Sequence, residues 1–194
     1  MKGILTFGLI ITSGIVCCAQ NIQTKLSTEK MSDFIKLEKS LKSISYYPDA
    51  DIILTGDEDQ PLNFKRNGRM PGGFFVRYTF RKKDSTITDI QYDYNLGELK
   101  EVSTKERFDH QNALYQQQDS LSKVFTSLYG ESTHIGDIDP KQIEKTKVIR
   151  RQDYWKSADG TKIQMSITLT NEPWVFHGKK IPPTHRLQIS ISNR

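Results

Sequence analysis

What the chain lacks narrows its chemistry first. Its two cysteines are adjacent, Cys17 and Cys18, and none follows them. Beyond residue 19 this excludes disulfides, thiol catalysis and cysteine-based zinc sites together. No Gly-x-Gly-x-x-Gly or P-loop run is present to cradle a nucleotide phosphate. No Gly-x-Ser-x-Gly elbow is present to raise a serine nucleophile. The four histidines, His110, His134, His177 and His185, are scattered, and no two have the spacing of a helical zinc pair. No apolar run reaches the roughly 20 residues of a transmembrane helix. No cofactor is therefore expected. Carboxylate pairs are not excluded by this reasoning, because such partners need not be close in sequence.

The first 19 residues are a different kind of sequence from the rest. Lys2 precedes an apolar run from Ile4 to Val16, and the small residues Cys17, Cys18 and Ala19 follow. That layout predicts a secretory signal peptide over 1–19, cut after Ala19. The junction Cys17-Cys18-Ala19-Gln20-Asn21 resembles bacterial signal junctions. The competing reading is a lipid anchor on Cys17 or Cys18. It is disfavoured, because Val16 and Cys17 stand where a small residue should precede the lipidated cysteine. Removing 19 of 194 residues leaves 175, enough for one sizeable core and short for two, so 20–194 is read as a single domain. The expected location is periplasmic or secreted, with attachment to the outer surface of a membrane as the alternative.

The formal charge is +5, and Lys2 is the only charged residue of the leader. The basic residues fall in small groups such as Arg81, Lys82 and Lys83, or Lys179 and Lys180. No run is long enough for a nucleic-acid arm, so nucleic acid is not an expected partner. The excess charge instead suits an acidic partner.

Periodicity then supplies an architecture. Residues 103–130 carry the strongest helical signal. Ser103 and Glu106 fit a capping box, Leu114, Leu121, Phe125 and Leu128 fall on one stripe, and Gly130 follows as a stop. His110, Gln111 and Gln118 lie on or beside that stripe, so the N-terminal half of the helix is expected to overhang the sheet or border a polar cleft. A first helix is expected over about 28–45, capped by Ser27 or Thr28, with Phe34, Leu37 or Glu38, Leu41 and Ile44 inward. Ile52-Ile53-Leu54 reads as a short strand, as does 62–66. Clean alternation marks 74–81, 88–94, 163–169 and 187–191 as strands, with a less regular one at 148–156. Turns fall at 82–85 and at Ala158-Asp159-Gly160. Arg77 and Arg81 on one strand suit Asp89 and Asp93 on the next. The reading is α+β: two helices, about 28–45 and 104–129, on one face of a five- or six-stranded, mainly antiparallel sheet. The element order suggests an αββ(β) repeat.

Three stretches are candidate sites. The 171–183 stretch presents Trp174, Phe176, His177, Lys179 and Lys180 between prolines, and rigid aromatics on a loop make good anchors for a partner. The alternative is that its aromatics fold back over the sheet edge. His110 and Gln118 mark the polar side of the long helix. Asp57-Glu58-Asp59 and the 134–139 loop place oxygen ligands close together, but neither has the 12-residue calcium pattern, and no metal site is assigned. The leading functional expectation is an exported, non-catalytic binding module of a bacterial envelope, inhibitor- or immunity-like, for an unidentified protein or small ligand. The alternatives are a hydrolase without a readable motif that uses Asp or Glu with His, and a structural subunit that makes contact through the polar half of the long helix.

Overall fold

The computed structural model describes residues 22–24, 26, 30–46, 59–67, 74–95, 103–143, 145–176, 178–181 and 183–193. The elements run α1 (Met31–Ser40), β1 (Ile44–Ser45), β2 (Leu62–Arg66), β3 (Phe74–Phe80), β4 (Ile87–Asn95), α2 (Thr104–Tyr129), β5 (Thr133–Ile135), β6 (Val148–Lys156), β7 (Lys162–Thr170), β8 (Trp174–Phe176), β9 (Lys179–Ile181) and β10 (His185–Ser192). Eight strands form one antiparallel sheet in the order β1-β2-β3-β4-β10-β7-β6-β5. Two four-stranded meanders therefore meet where β4 pairs with β10.

The class is α+β, as the periodicity predicts, but the count of five or six strands is too low. β1 and β5 have only two and three residues, too few for alternation to register. The sequence reading also places 171–183 in an irregular loop, whereas β8 and β9 form a separate hairpin there. The Ile52–Leu54 strand lies outside the described residues.

One face of the sheet is apolar because every second residue is. Tyr78, Ile90, Ile191, Ile163 and Trp155 stand in register across five strands. Val76, Tyr92, Ile189, Met165 and Asp153 form the next row, and both rows are buried. Each fully buried large apolar side chain contributes about 1.5–3 kcal/mol relative to exposure.

Both helices pack on this face. Phe34 of α1 meets Tyr78 at a ring separation of 4.6 Å, and Phe125 of α2 meets Trp155 at 5.3 Å. The start of the chain also contributes. Leu26 is fully buried, and the Gln23 N–H donates to the Tyr92 hydroxyl at 2.9 Å.

The long helix begins and ends where its capping signals say. The Glu106 N–H donates to Ser103 Oγ at 3.2 Å, and the Ser103 N–H donates to Glu106 Oε2 at 2.9 Å. Gly130 takes φ +86°. Its stripe needs correction at both ends. Leu128 is 61 % exposed, whereas Gln111 and Gln118 are buried. The N-terminal half thus lies on the sheet instead of overhanging it, with polar partners in place of leucine.

The first helix is shorter than the 28–45 expected. It stops at Ser40 because Lys42 turns to φ 54° and the Ser43 N–H reaches back to the Glu38 carbonyl at 3.0 Å. Ile44 joins β1 and is exposed rather than inward. The cap expected from Ser27 or Thr28 falls outside the described residues, and Lys30 occupies the cap position.

Candidate functional site

Because both helices lie on the apolar face, no helix of the described residues covers the other face. Its residues follow from the same register. Asn63, Arg77, Gln91, Ser190, Gln164, Tyr154 and Thr133 form one row across seven strands. Phe75, Asp93, Gln188, Ser166 and Gln152 form the adjacent row.

A groove of about 370 Å³ lies on the β2, β3, β4 and β10 part of this face. Its aromatic wall is Tyr46 and Phe75, whose rings are 5.1 Å apart and tilted by 50°. Lys65 Nζ stands 5.3 Å from the Phe75 centroid, a cation–π contact. The polar floor is held in place. Arg77 Nε donates to Asn63 Oδ1 at 3.0 Å, and Arg186 Nε donates to Asp93 Oδ1 at 2.8 Å. The bond to Asp93 also raises the Arg186 pKa. The expected pairing of Arg77 and Arg81 with Asp89 and Asp93 is thus only partly seen. Asp93 bonds across the central seam to Arg186, and Arg81 is exposed. Asp89 lies near Arg77; burial raises its pKa, offset by a hydrogen bond from Ser190 and by Arg77.

A second depression, about 560 Å³, runs along the ends of β6, β7 and β10. Tyr154, Lys156, Lys162, Gln164, Ser190 and Ser192 line it, and its rim reaches Tyr129. β10 borders both depressions: Gln188 lines the first, and Ser190 and Ser192 the second.

The 171–183 stretch is a short antiparallel hairpin. Trp174 pairs with Ile181, Val175 with Lys180 and Phe176 with Lys179, and Gly178 turns at φ +75°. Val175 is 70 % exposed. His177 lies outside the described residues.

The base of the hairpin is tightly held. Asn171 Nδ2 donates to the Ile143 and Thr146 carbonyls at 2.6 and 2.7 Å, and Asn171 Oδ1 accepts from Gln111 Nε2 at 2.6 Å. Gln111 Nε2 is also 2.9 Å from His185 Nε2. Burial lowers the His185 pKa, with Arg107 and His110 adding to that and a hydrogen bond to the Thr170 carbonyl opposing it. The buried Gln111 anchors this base.

Of the helix residues singled out, His110 is half-buried on α2 near His185. Gln118 is buried and donates to Asp153 Oδ2 at 2.9 Å, while Arg151 Nε donates to Asp153 Oδ1 at 3.0 Å. A comparable cluster lies under α1. Arg66 NH2 meets Glu38 Oε1 at 2.5 Å, and the Tyr78 hydroxyl donates to the same oxygen at 2.5 Å. Burial pushes the Tyr78 phenol up strongly and the Tyr92 phenol up to about 12.

In the 134–139 loop, His134 Nε2 and Asp137 Oδ1 are 3.5 Å apart and both exposed. Among the described residues no group of three or more His, Cys, Asp or Glu side chains is placed to hold a metal ion. Asp57 and Glu58 of the other acidic loop lie outside them. No helix of the described residues is long and apolar enough to cross a membrane. No protein-family model, curated protein or solved structure matches the chain.

The groove is not among the sites read from sequence. Phe75, Gln91 and Gln188 are legible only as the outward half of alternating strands. What joins them is the β4–β10 pairing, which brings Asp93 to a residue 93 positions away.

Proposed function

We propose that the chain is an exported, non-catalytic binding module of a bacterial envelope that holds its partner on the open sheet face. The observation that carries this reading is the groove of about 370 Å³ on that face, with an aromatic wall and polar groups already held by Arg186–Asp93 and Arg77–Asn63. Side chains fixed before binding lose little entropy on binding. The hairpin, with Trp174, Phe176, His177, Lys179 and Lys180, is a second contact surface in this reading, and His110 borders its base. Export rests on the 1–19 leader and cleavage after Ala19, and 20–194 acts as one domain.

The reading extends to the internal repeat. Among the described residues each half runs helix, then four strands of the large sheet in meander order, the second half with the β8–β9 hairpin inserted before its last strand, and the two meanders join by their last strands. Each half also sets a polar helix side chain against its second strand, Glu38 on Arg66 and Gln118 on Asp153. These correspondences support two copies of an αββββ unit, one strand longer than the αββ(β) pattern. The structural-subunit alternative would make contact through exposed residues of that helix half such as Lys105, Asp109 and Gln116, because Gln111 and Gln118 are packed inside.

The test is capture from envelope extract with the chain from Gln20 onward, comparing wild type with Phe75→Glu and with Trp174→Ala/Phe176→Ala. Loss of the retained component with Phe75→Glu, at unchanged thermal stability, is the expected result. Unchanged retention in the groove variant overturns the groove as the site.

A further inference from the structure

We propose that the open face takes an acidic polysaccharide laid across the strands. This rests on the binding-module reading and adds the chemical class of the ligand.

Charge comes first. Lys65, Arg77, Arg150, Lys156, Lys162 and Arg186 stand on this face by register, against two carboxylates, Asp89 and Asp93. Asp93 is already bonded to Arg186, and Asp89 accepts from Ser190 and lies near Arg77. Glu131 adds a third carboxylate at the second depression, so among the described residues cations outnumber carboxylates on this face, which suits an anionic ligand.

The centre of the face then decides between ligand classes. Between the aromatic wall at Phe75 and Tyr154 on the far side, the strands offer Gln91, Gln188, Ser190, Gln164 and Ser166. All five are half-buried. Within the described residues, the amides of Gln91, Gln188 and Gln164 have no hydrogen-bond partner in the protein. Each amide offers two donors and an acceptor, which matches hydroxyl groups that both give and receive. A tight protein partner would instead require apolar anchors at the centre of the patch. Here the aromatic residues are at the margins, where a ring can lie against the C–H face of a sugar.

Geometry favours a chain over a single sugar. The two depressions border the same strand, β10, the first at Gln188 and the second at Ser190, which lie two residues apart on one face of the sheet. From β3 to β6 is four strand spacings, roughly 19 Å, the reach of a short oligosaccharide. Carboxylates along such a chain can meet Arg77 at one end and Lys156 or Lys162 at the other in charge-assisted hydrogen bonds.

The experiment is affinity electrophoresis and NMR shift mapping on the chain from Gln20 onward. The probes are polygalacturonate, neutral dextran and polyglutamate at one ionic strength. Polygalacturonate is expected to retard the protein and to shift outward residues of β4, β10 and β7, with dextran weaker and polyglutamate not shifting Gln91 or Gln188. Gln91→Leu/Gln188→Leu keeps every charge and should weaken polygalacturonate roughly tenfold, the effect of two lost hydrogen bonds. Equal binding of polyglutamate with no loss in the double variant overturns the proposal in favour of charge alone. If polygalacturonate fails to bind while an envelope protein is captured on the same face, the ligand class falls and the binding-module reading stands. If no probe or extract component engages this face, both fall.

Discussion

The two halves of the molecule solve one problem with different chemistry. Each buries a polar helix residue against its second strand. Under α1 the pair is ionic and sealed: Arg66 and Glu38 side chains are 4 % and 0 % exposed, and the guanidinium lies 5.3 Å from the Phe74 centroid and 5.4 Å from that of Tyr92. Burial by itself would lower the Arg66 pKa, but bonding to Glu38 holds it above its ordinary value. Under α2 the helix supplies a neutral amide, Gln118, and the charge balance lies within β6, between Asp153 and Arg151. Arg151 is 26 % exposed, so water can reach it. The comparison separates a charge pair sealed from water from one whose cation water can reach.

The largest expected effect tests that distinction. Arg66→Met leaves the Glu38 carboxylate buried and should cost about 3–5 kcal/mol. Arg66→Met combined with Glu38→Met should recover much of that, because the uncompensated charge is gone. Urea denaturation of both variants checks it, and a double variant as weak as the single would end the ionic account. Asp153→Asn in the second half should cost less, about 1–3 kcal/mol, since Arg151 can turn to solvent. A loss equal to that of Arg66→Met would erase the contrast between the halves.

The third prediction concerns protons. All four histidines lie in the second half, and His185 is buried beside Gln111, Arg107 and His110 of α2, with Thr170 on its other side. Its folded pKa is lowered, so below about pH 6.5 the unfolded chain takes up a proton that the folded one resists. Stability is therefore fully present above that pH and falls as pH drops towards the folded pKa, by at most about 1.4 kcal/mol per pH unit. His185→Gln should remove this component, read as the difference between the two pH–stability curves. Identical curves would show that His185 does not titrate in the window. The smallest effect belongs to the end of α2. Leu128→Ser should change stability by less than about 0.5 kcal/mol, whereas Leu121→Ala should cost about 2–5 kcal/mol. Calorimetry of the two checks which leucine the sheet covers.

Elements several turns or alternations long are legible in the residues alone. Ser103, Glu106 and Gly130 bound α2, and the alternation of 74–80 and 163–169 gives two of the central strands. The end of α1 is not legible, because Lys42 takes the left-handed conformation without being glycine. The hairpin is hidden because Trp174, Val175 and Phe176 are apolar in succession, so no period marks a strand. Gln111 and Gln118 mislead because polarity on a helix stripe normally means solvent. Their partners, Asn171 and Asp153, lie 60 and 35 positions away.

Locally encoded properties are thus the sequence's own: the α+β class, the inner and outer faces of each long strand, the caps of the long helix and the positive charge. Each depends on residues within a turn or a few alternations, where steric preference and hydrogen bonding act without distant partners. Tertiary structure decided that β4 meets β10, that both helices crowd one face, and that polar side chains of β2, β3, β4 and β10 converge on one groove. Those outcomes depend on backbone pairing between residues far apart along the chain, and composition and period carry no record of which strand lies beside which.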